Sequence, residues 1–487
     1  MTTDAHNLLV IVSDEQASRY MGCSGHPIVQ TPHLDRLAAR GTRFANAYTN
    51  CPICVPARAS LATGRYVHQL GTWDNAISYE GQPASWAHRL TQAGRKAVSI
   101  GKLHYRDNSV LGGFDETIMP MHILDGLGDL LGSVRDPMPV RHKTRTLSEE
   151  LGPGESTYTQ YDRAITASAS QWLREIAPTL PEPWTLYVGL VAPHFPLIAP
   201  PEFFALYPPE DMPLPKACHP DEWPDHPWLQ AIRKCFVWND YFDDDKRRLA
   251  TASYFALCSF LDHNIGQILG ALDNSGLATR TRVLYSSDHG DNLGVRGLWG
   301  KSNHYEESVA IPMIMAGPDV PVGHVVSTPV SLVDVFPTVL DCTGTSAVPE
   351  DADKPGRSLL SLARGPQEPE RVAFSEYHAA GAATGAFMLR KGRYKLVHYV
   401  GMRPQLFDLQ DDPQELQDLA QDPARQAVLA QLQAELRSIC DPEEVDRRAK
   451  ADQADIVERN GGREAVIRRG TFGATPPPGT DATVRFV

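Results

Sequence analysis

The residues best suited to chemistry surround Cys54, which begins the run Cys54-Val55-Pro56-Ala57-Arg58-Ala59-Ser60-Leu61-Ala62-Thr63-Gly64-Arg65. A thiol close to two arginines is a candidate low-pKa nucleophile, because positive charge stabilises the thiolate. The alternative is a buried cysteine that packs as a small hydrophobic side chain. Pro56 and Gly64 bracket a segment rich in alanine, which can turn and then begin a helix.

Acidic side chains follow two apolar runs that we expect to be buried strands. Residues 8–12 lead to Asp14 and Glu15, and residues 281–287 lead to Asp288 and His289. In open α/β sheets, ligands gather at the carboxyl ends of the strands. Both positions are therefore candidate ligand sites, although an aspartate there can also cap a helix.

A cation and two imidazoles follow two further runs. The strand expected at residues 96–100 leads to Lys102 and His104, which point to the same side of an extended segment. The apolar run 186–191 leads to His194. A lysine and a histidine aimed together suit the binding of an oxyanion and the transfer of a proton. Without further context, two surface residues are the alternative interpretation.

Taken together, these segments resemble the type I sulfatases of the alkaline phosphatase superfamily, near its choline-sulfatase, arylsulfatase and phosphonate monoester hydrolase branches. The matching motifs are Cys-x-Pro-x-Arg at residues 54–58, Gly-Lys-x-His at 101–104, Pro-His-x-Pro at 193–196, Asp-His-Gly-Asp at 288–291 and Gly-Lys at 300–301. Cys51 fails the first motif, since Ile53 and Val55 stand where proline and arginine are required.

The resemblance implies two cofactors. In such enzymes the matched cysteine, here Cys54, is oxidised to formylglycine by a separate generating enzyme. One divalent metal ion is held by a set that corresponds to Asp14, Cys54, Asp288 and His289. Glu15 is a further candidate ligand, which departs from the family's two adjacent aspartates by one methylene. Oxygen-only sites suit calcium, whereas an imidazole suits manganese, so we expect Ca²⁺ or Mn²⁺.

The resemblance also implies roles in catalysis. The catalytic residues would be Cys54, Arg58, Lys102, His104, His194 and Lys301. The substrate would contact Asn75, Lys102, His194 and Lys301. Arg58 would fix the hydrated aldehyde and the two lysines would bind non-bridging oxygens. His104 would act as the base that breaks down the intermediate, and His194 as the acid for the leaving group.

The implied reaction is the hydrolysis of aryl or alkyl sulfate monoesters. These esters are anionic and repel nucleophiles, so the site needs neutralising cations and an activated oxygen. Hydrated formylglycine has two hydroxyls on one carbon. One attacks sulfur to form a covalent sulfo-enzyme, and the other then expels sulfate and restores the aldehyde.

Two other functions stay open from the sequence. A phosphonate monoester or phosphodiester hydrolase would use the same nucleophile, and the pair Asp288-His289 suits it well. A catalytically silent binding protein on the same scaffold is the second alternative. Within the sulfatases, a choline sulfate substrate would need an aromatic cage. The aromatic residues near matched motifs are Trp73, Tyr105, Phe195 and Trp299.

Composition limits the partners of this 487-residue chain. A formal net charge of −13 argues against nucleic acid and anionic membranes, so a small anionic ester needs locally clustered cations. The apolar run at residues 8–12 is too short for a signal peptide or a membrane span. Eight scattered cysteines are typical of reduced thiols. We therefore expect a cytoplasmic protein, which requires the formylglycine-generating enzyme in the same compartment.

The chain order predicts an α/β fold, with a large, mixed, mostly parallel sheet flanked by helices. We expect a catalytic domain at residues 1–350 and a small domain of antiparallel sheet plus helix at residues 351–440. In the small domain, strands are expected at residues 393–397 and 405–409, and a polar helix from Asp411 to about Ser438. Residues 441–487 would form an extended tail that wraps its own domain or a second subunit, which favours a homo-oligomer.

Overall fold

The computed structural model describes residues 5–142, 144–181, 183–480 and 484–485. Within them the strands, numbered in chain order, are Asn7–Asp14 (β1), Gly41–Phe44 (β2), Ala47–Tyr48 (β3), Lys96–Lys102 (β4), Glu116–Met121 (β5), Leu151–Pro153 (β6), Trp184–Pro193 (β7), Leu197–Ala199 (β8), Thr281–Ser287 (β9), Met313–Ala316 (β10), His324–Val326 (β11), Val330–Ser331 (β12), Ala373–Tyr377 (β13), Ala386–Lys391 (β14), Tyr394–Tyr399 (β15), Gln405–Asp408 (β16), Thr471–Phe472 (β17) and Val484–Arg485 (β18).

The α-helices of the described chain are Pro32–Ala39 (α1), Cys54–Thr63 (α2), Val67–Leu70 (α3), Trp86–Gln92 (α4), Thr144–Glu149 (α5), Thr157–Gln171 (α6), Pro201–Phe204 (α7), Pro227–Phe236 (α8), Asp244–Asn274 (α9), Glu306–Val309 (α10), Val335–Thr343 (α11), Leu359–Arg364 (α12), Gln426–Ile439 (α13), Pro442–Arg459 (α14) and Gly462–Arg469 (α15). Among the described helices, none is both long enough and apolar enough to cross a membrane.

An eight-stranded sheet forms the centre of the molecule, in the order β11-β2-β10-β9-β1-β7-β4-β5. Strand β1 is parallel to both β7 and β9, and β4 is parallel to β7 and β5. Strand β10 is antiparallel to its neighbours β9 and β2. A separate four-stranded antiparallel sheet, β13-β14-β15-β16, follows in the chain. The predicted fold class is therefore confirmed.

The apolar residues of β1 face two different cores, because successive side chains of a strand point to opposite sides. Leu9 and Ile11 pack in one core, which the helices α6 and α9 cover. Val10 and Val12 pack in the other, which α2, α4 and α11 cover. Burial on both faces explains why the strand is an uninterrupted apolar run.

The C-terminal region differs from the sequence prediction in two places. The helix expected from Asp411 begins only at Gln426, because residues 411–425 form turns in which Glu415 adopts a left-handed φ of 54° and pairs with the buried Lys395. The tail expected to be extended from residue 441 is instead helical over α14 and α15. Asp441 accepts hydrogen bonds from two backbone N–H groups at the start of α14, which caps that helix. The three-domain division itself stays a prediction.

The buried His304 is expected to make the stability of the fold sensitive to acid. Its ring is buried, and neither ring nitrogen has a hydrogen-bond partner in the described chain. Burial first, and then the Lys395 cation, lowers the pKa of His304 to about 3. Because the pKa is below the unfolded value of about 6.5, this contribution to stability is present above pH 6.5 and is lost as the pH falls towards 3.

We expect the free energy of unfolding of the wild-type protein to fall by about 2 kcal/mol more than that of His304→Leu between pH 7 and pH 5. Denaturant titrations at the two pH values measure the difference. Parallel loss of stability in the two proteins would contradict the assignment of a buried neutral imidazole.

Candidate active site

Cys54 is the first residue of helix α2 and lies on the wall of a cavity of about 350 Å³. The helix begins within the segment where the sequence suggests a helix start, and all ten of its residues are buried. The helix ends at Gly64, whose φ of 67° is left-handed, and a Cβ there would lie 2.7 Å from Phe336. Tight packing at Gly64 therefore helps to fix the helix that carries the thiol.

Two parallel strands bring the metal-ligand candidates together. Ser13 of β1 is paired with Ser287 of β9, so that Asp14 and Asp288 leave the sheet side by side. The ligand atoms of Asp14, Cys54, Asp288 and His289 all lie within 4.8 Å of one another, and all four residues are buried. The structure thus brings the four sequence-predicted ligands into one cluster.

The orientation of His289 suits metal binding. Its Nδ1 lies 3.0 Å from the carbonyl oxygen of Gly290, which can only accept, so Nδ1 carries the proton. The lone pair of Nε2 therefore faces the cluster, 3.1 Å from the Cys54 sulfur and 3.6 Å from carboxylate oxygens of Asp14 and Asp288. Two carboxylates, an imidazole and a sulfur position fit a divalent cation.

Arg58 holds the two aspartates of this cluster. Its Nε donates to Asp288 Oδ2 at 2.8 Å, and its Nη2 lies 3.6 Å from Asp14 Oδ2. Nη1 donates to the carbonyl of Lys102 and to the hydroxyl of Tyr187. Burial acts to lower the pKa of Arg58, but Asp288 outweighs it and raises that pKa above the ordinary value. These contacts place the guanidinium behind the metal-ligand candidates.

Lys102 lies at the end of β4, and its ammonium is hydrogen-bonded to Asp14. Burial acts to raise the pKa of Asp14, but the Lys102 cation, with Arg58 and Lys301, holds it well below its usual value. The carboxylate is therefore ionised, as a metal ligand must be.

Lys301 connects Glu15 and His194 on the other side of the cavity. Its ammonium donates to Glu15 Oε2 at 3.0 Å and to His194 Nε2 at 2.8 Å. His194 Nδ1 donates to the carbonyl of Phe195, so the imidazole is neutral in this arrangement. Burial and then Lys301 hold the pKa of His194 well below its ordinary value. The sequence suggested that His194 donates a proton. In the structure its neutral ring instead accepts a hydrogen bond from Lys301.

Glu15 adopts a left-handed φ of 71°, which an ordinary side chain rarely tolerates. Its carboxylate faces Lys301, and its Oε1 has no hydrogen-bond partner among the residues described. With Asp14 and His194 it forms a second group of possible metal ligands, which shares Asp14 with the cluster at Cys54. Glu15 as a metal ligand stays a prediction.

The thiol of Cys54 is not ionised. Burial first, and then the neighbouring Asp14 carboxylate, raises its pKa to about 11. A low-pKa thiolate nucleophile, which the nearby arginines suggested, does not fit these surroundings. An unmodified Cys54 is therefore a poor nucleophile at neutral pH.

His104 and Asn75 complete the set that sequence reasoning assigned, and both line the cavity. His104 adopts a left-handed φ of 58°, and burial followed by Lys102 holds its pKa well below the usual value. A neutral imidazole suits a base. Asn75 accepts a hydrogen bond from the backbone N–H of Val55 at 3.2 Å, next to the nucleophile position.

Several cavity residues have no motif in the sequence. The rings of Phe236 and Trp238 are stacked, with centroids 4.6 Å apart and planes 9° apart. Arg141, Tyr158 and Phe472 line the same cavity. The aromatic-rich stretch at residues 200–245 was the available signal for the stacked pair, whereas nothing local indicates the other three.

Of the four aromatic residues near matched motifs, two pack away from the cavity and two line it. Trp73 is fully buried and contacts His378, and Tyr105 packs against Tyr79, so neither lines the cavity. Phe195 and Trp299 do line it, and Trp299 is stacked on Phe242.

The fold and the site define a class of metal-dependent hydrolase in which cations converge on a buried cysteine. The family model for sulfatases matches residues 6–345, and the model for the C-terminal part of N-sulphoglucosamine sulphohydrolase matches residues 294–441. The chain belongs to the sulfatase family. Members of this family are sulfuric ester hydrolases that generally use a metal ion and formylglycine, so the predicted resemblance is confirmed.

Curated relatives match most of the chain. Choline-sulfatase of Rhizobium meliloti (strain 1021) is 32% identical over 435 residues, which cover 87% of this chain and 84% of that protein. Arylsulfatase K of Danio rerio is 31% identical over 445 residues, which cover 86% of this chain and 80% of that protein. The phosphonate monoester hydrolase of Agrobacterium radiobacter, at 23% identity, covers 89% of this chain and 95% of its own with a TM-score of 0.73, and shares the fold.

Replacing Lys301 tests the cation on the Glu15 side of the cavity. We expect Lys301→Met to lower kcat/KM for a sulfate ester by about 10²–10³-fold, because a preorganised charge facing the ester oxygens is lost. The raised pKa of Glu15, which burial causes, allows its carboxylate to become neutral in the variant, so the fold should persist. Steady-state kinetics measure the effect, with Lys246→Met, which does not line the cavity, as the control. Equal kinetics in the two variants would exclude this role.

Proposed function

We propose that this protein hydrolyses small sulfate monoesters at the cavity beside Cys54. The observation that supports this most is the convergence of three other metal-ligand candidates and two lysines, Lys102 and Lys301, around the buried thiol of Cys54. Two cations that line one cavity suit a tetrahedral anion, in a protein whose net charge of −13 would otherwise repel it.

The protein residues would divide the work as follows. Lys102 and Lys301 bind the non-bridging oxygens, and Arg58 orients the two aspartates. Asp14, Asp288 and His289, with residue 54, would hold a divalent metal that supplies positive charge against the ester. Oxidation of Cys54 to formylglycine would supply the hydroxyl nucleophile that the un-ionised thiol cannot.

We assign the proton transfers to the surroundings of two histidines, His104 and His194. His104 is neutral and is the base of this proposal. On the leaving-group side, Lys301 donates to His194 Nε2, which therefore has no proton of its own, so the proton for the leaving oxygen would come from the Lys301 ammonium, directly or through His194. We propose that this lysine–histidine pair, not His194 alone, stabilises the departing oxygen.

The identity of the metal and the cellular location of the protein are part of the same proposal. The imidazole of His289 favours Mn²⁺ over Ca²⁺, which metal analysis of the purified protein would decide. None of the eight cysteines forms a disulfide, which supports a cytoplasmic site of action together with a formylglycine-generating enzyme. A homo-oligomer formed through the C-terminal tail also stays a proposal.

Peptide mass spectrometry of protein made in its own cells tests the nucleophile. Conversion of Cys54 to the aldehyde lowers the mass by about 18 Da, in contrast to the mass gains of ordinary thiol oxidation. Active protein with an unmodified thiol would refute the proposed nucleophile.

Relative rates on sulfate and phosphonate monoesters then separate the proposed function from its alternative. A higher kcat/KM for phosphonate esters would favour a phosphonate hydrolase, which the imidazole in the ligand set also suits. Metal binding without turnover of either ester would favour a silent binding protein.

A further inference from the structure

The segment at residues 471–480, which we call the strap, lies over the cavity of the same chain. Phe472, Gly473, Ala474, Thr475, Pro476, Pro477 and Thr480 line the cavity that contains Cys54. These residues are more than 400 positions from Cys54 in sequence. The strap therefore forms part of the substrate pocket in this fold.

The start of the strap is held by a partly buried ion pair. Thr471 Oγ1 donates to Asp129 Oδ1 at 2.9 Å, and Asp129 Oδ2 accepts from Arg141 Nη2 at 2.5 Å. Arg141 is fully buried and lines the cavity. Because a charged pair strengthens the hydrogen bond of the threonine hydroxyl, this contact anchors the strap beside the pocket.

The middle of the strap contacts two residues of the pocket. The hydroxyl of Tyr158 donates to the carbonyl of Thr475 at 2.6 Å. Thr475 Oγ1 lies 3.1 Å from His104 Nε2. His104 Nδ1 is buried and has no hydrogen-bond partner in the part of the chain that the structure describes. If Nε2 donates to Thr475, Nδ1 is left as the atom that can accept a proton.

The end of the strap is stiff. Pro476, Pro477 and Pro478 restrict φ, and both the backbone N–H and the hydroxyl of Thr480 donate to the carbonyl of Pro477. A stiff segment loses less conformational entropy when it is ordered, so a few hydrogen bonds are enough to seat it.

We propose that the strap is the wall that selects small organic groups on the sulfate ester, and that Thr475 is a positioning residue for His104. The proposal rests on the proposed function and adds the substrate class to it. A cavity of about 350 Å³ is at the small end of ligand sites. It has room for a group about the size of one aromatic ring or one sugar, but not for a chain of sugars.

Shortening the chain tests the size selection. In a variant that ends at Gly470, we expect the kcat/KM ratio of para-nitrophenyl sulfate to a bulky naphthyl disaccharide sulfate to fall at least about tenfold, which is 1.4 kcal/mol. Arg469→Ala, whose exposed side chain lies outside the cavity, is the control and should keep the wild-type ratio. An unchanged ratio in the shortened chain would overturn the proposal.

A binding measurement separates this proposal from the proposed function. Dissociation constants of the two esters are measured on Cys54→Ala, with and without the strap, and need no turnover. If the wild-type protein hydrolyses neither ester, the proposed function fails, yet a strap-dependent affinity ratio would still support the wall. If the affinity ratio is the same with and without the strap, the proposed role of the strap as a selective wall is wrong, even if the enzyme is active.

Thr475 is tested with a pair of substitutions, so that loss of fold is not mistaken for loss of contact. Thr475→Val keeps the shape and removes the hydroxyl, and we expect kcat to fall about three- to tenfold, the value of one hydrogen bond, with little change in KM. Thr475→Ser restores the hydroxyl and should recover most of kcat. Equal kcat in the valine and serine variants would overturn the positioning role.

A mixing experiment decides whose strap covers the site. The described strap contacts its own chain, so mixing Cys54→Ala with the chain that ends at Gly470 should not restore size selection. Recovery on mixing would show that a second copy supplies the strap and would overturn its assignment to the same chain.

Discussion

Cys54→Ala should lower kcat for sulfate ester hydrolysis by at least about 10⁴-fold, with a stable fold. Cys54 lies within the cluster, with its sulfur 3.1 Å from His289 Nε2, and its oxidised form is the nucleophile of the proposed reaction. The alanine removes buried atoms but no charge, since the thiol pKa is about 11. Initial rates on para-nitrophenyl sulfate, with thermal unfolding as a check, measure the effect.

Two matched variants sharpen this test. Cys51→Ala removes a buried thiol three positions earlier that lacks the proline and arginine of the motif, and it should stay active. Cys54→Ser provides a hydroxyl but no second hydroxyl to expel sulfate, so we expect no more than one product molecule for each enzyme. Near-normal turnover in either Cys54 variant would place the nucleophile elsewhere.

Asp288→Asn should remove the bound metal and lower kcat/KM by about 10³-fold or more. The carboxylate is one of the four clustered ligand candidates and also accepts from Arg58 at 2.8 Å. Loss of its charge leaves the buried guanidinium with Asp14 alone, so the free energy of unfolding should fall by about 3 kcal/mol as well.

Metal content by mass spectrometry, denaturant unfolding and kinetics measure the three effects separately. Asp353→Asn is the matched control, because Asp353 is exposed and pairs with Arg65 far from the cluster. Retention of one metal per chain in Asp288→Asn would show that the ion binds elsewhere.

The sheet and the ends of its strands follow directly from the sequence. Residues 281–287 form β9 as predicted, and β1, β4 and β7 contain the expected apolar runs. Parallel order then places Asp14 and Asp288 side by side, which is why a local pattern was enough to predict the cluster.

Other features depended on partners that are distant in the chain. Helix α13 begins later in the chain than predicted, because Glu415 adopts a non-helical conformation and pairs with Lys395. The choice of His194 as a lone acid did not anticipate Lys301, which is 107 residues away and donates to its ring. Hydrophobic periodicity and secondary-structure propensity depend on residues that are close together in the sequence. They therefore give no information about pairs that are far apart in the chain.

By itself, the sequence determined the family, the fold class and the residues able to do the chemistry, because short motifs and strand patterns are local. Only the tertiary structure decided which neighbours tune those residues. Glu15 meets Lys301 across 286 positions, and Thr475 meets His104 across 371. The strap covers the cavity because folding brings the end of the chain to the start of its catalytic sheet, and that proximity depends on packing over the whole molecule.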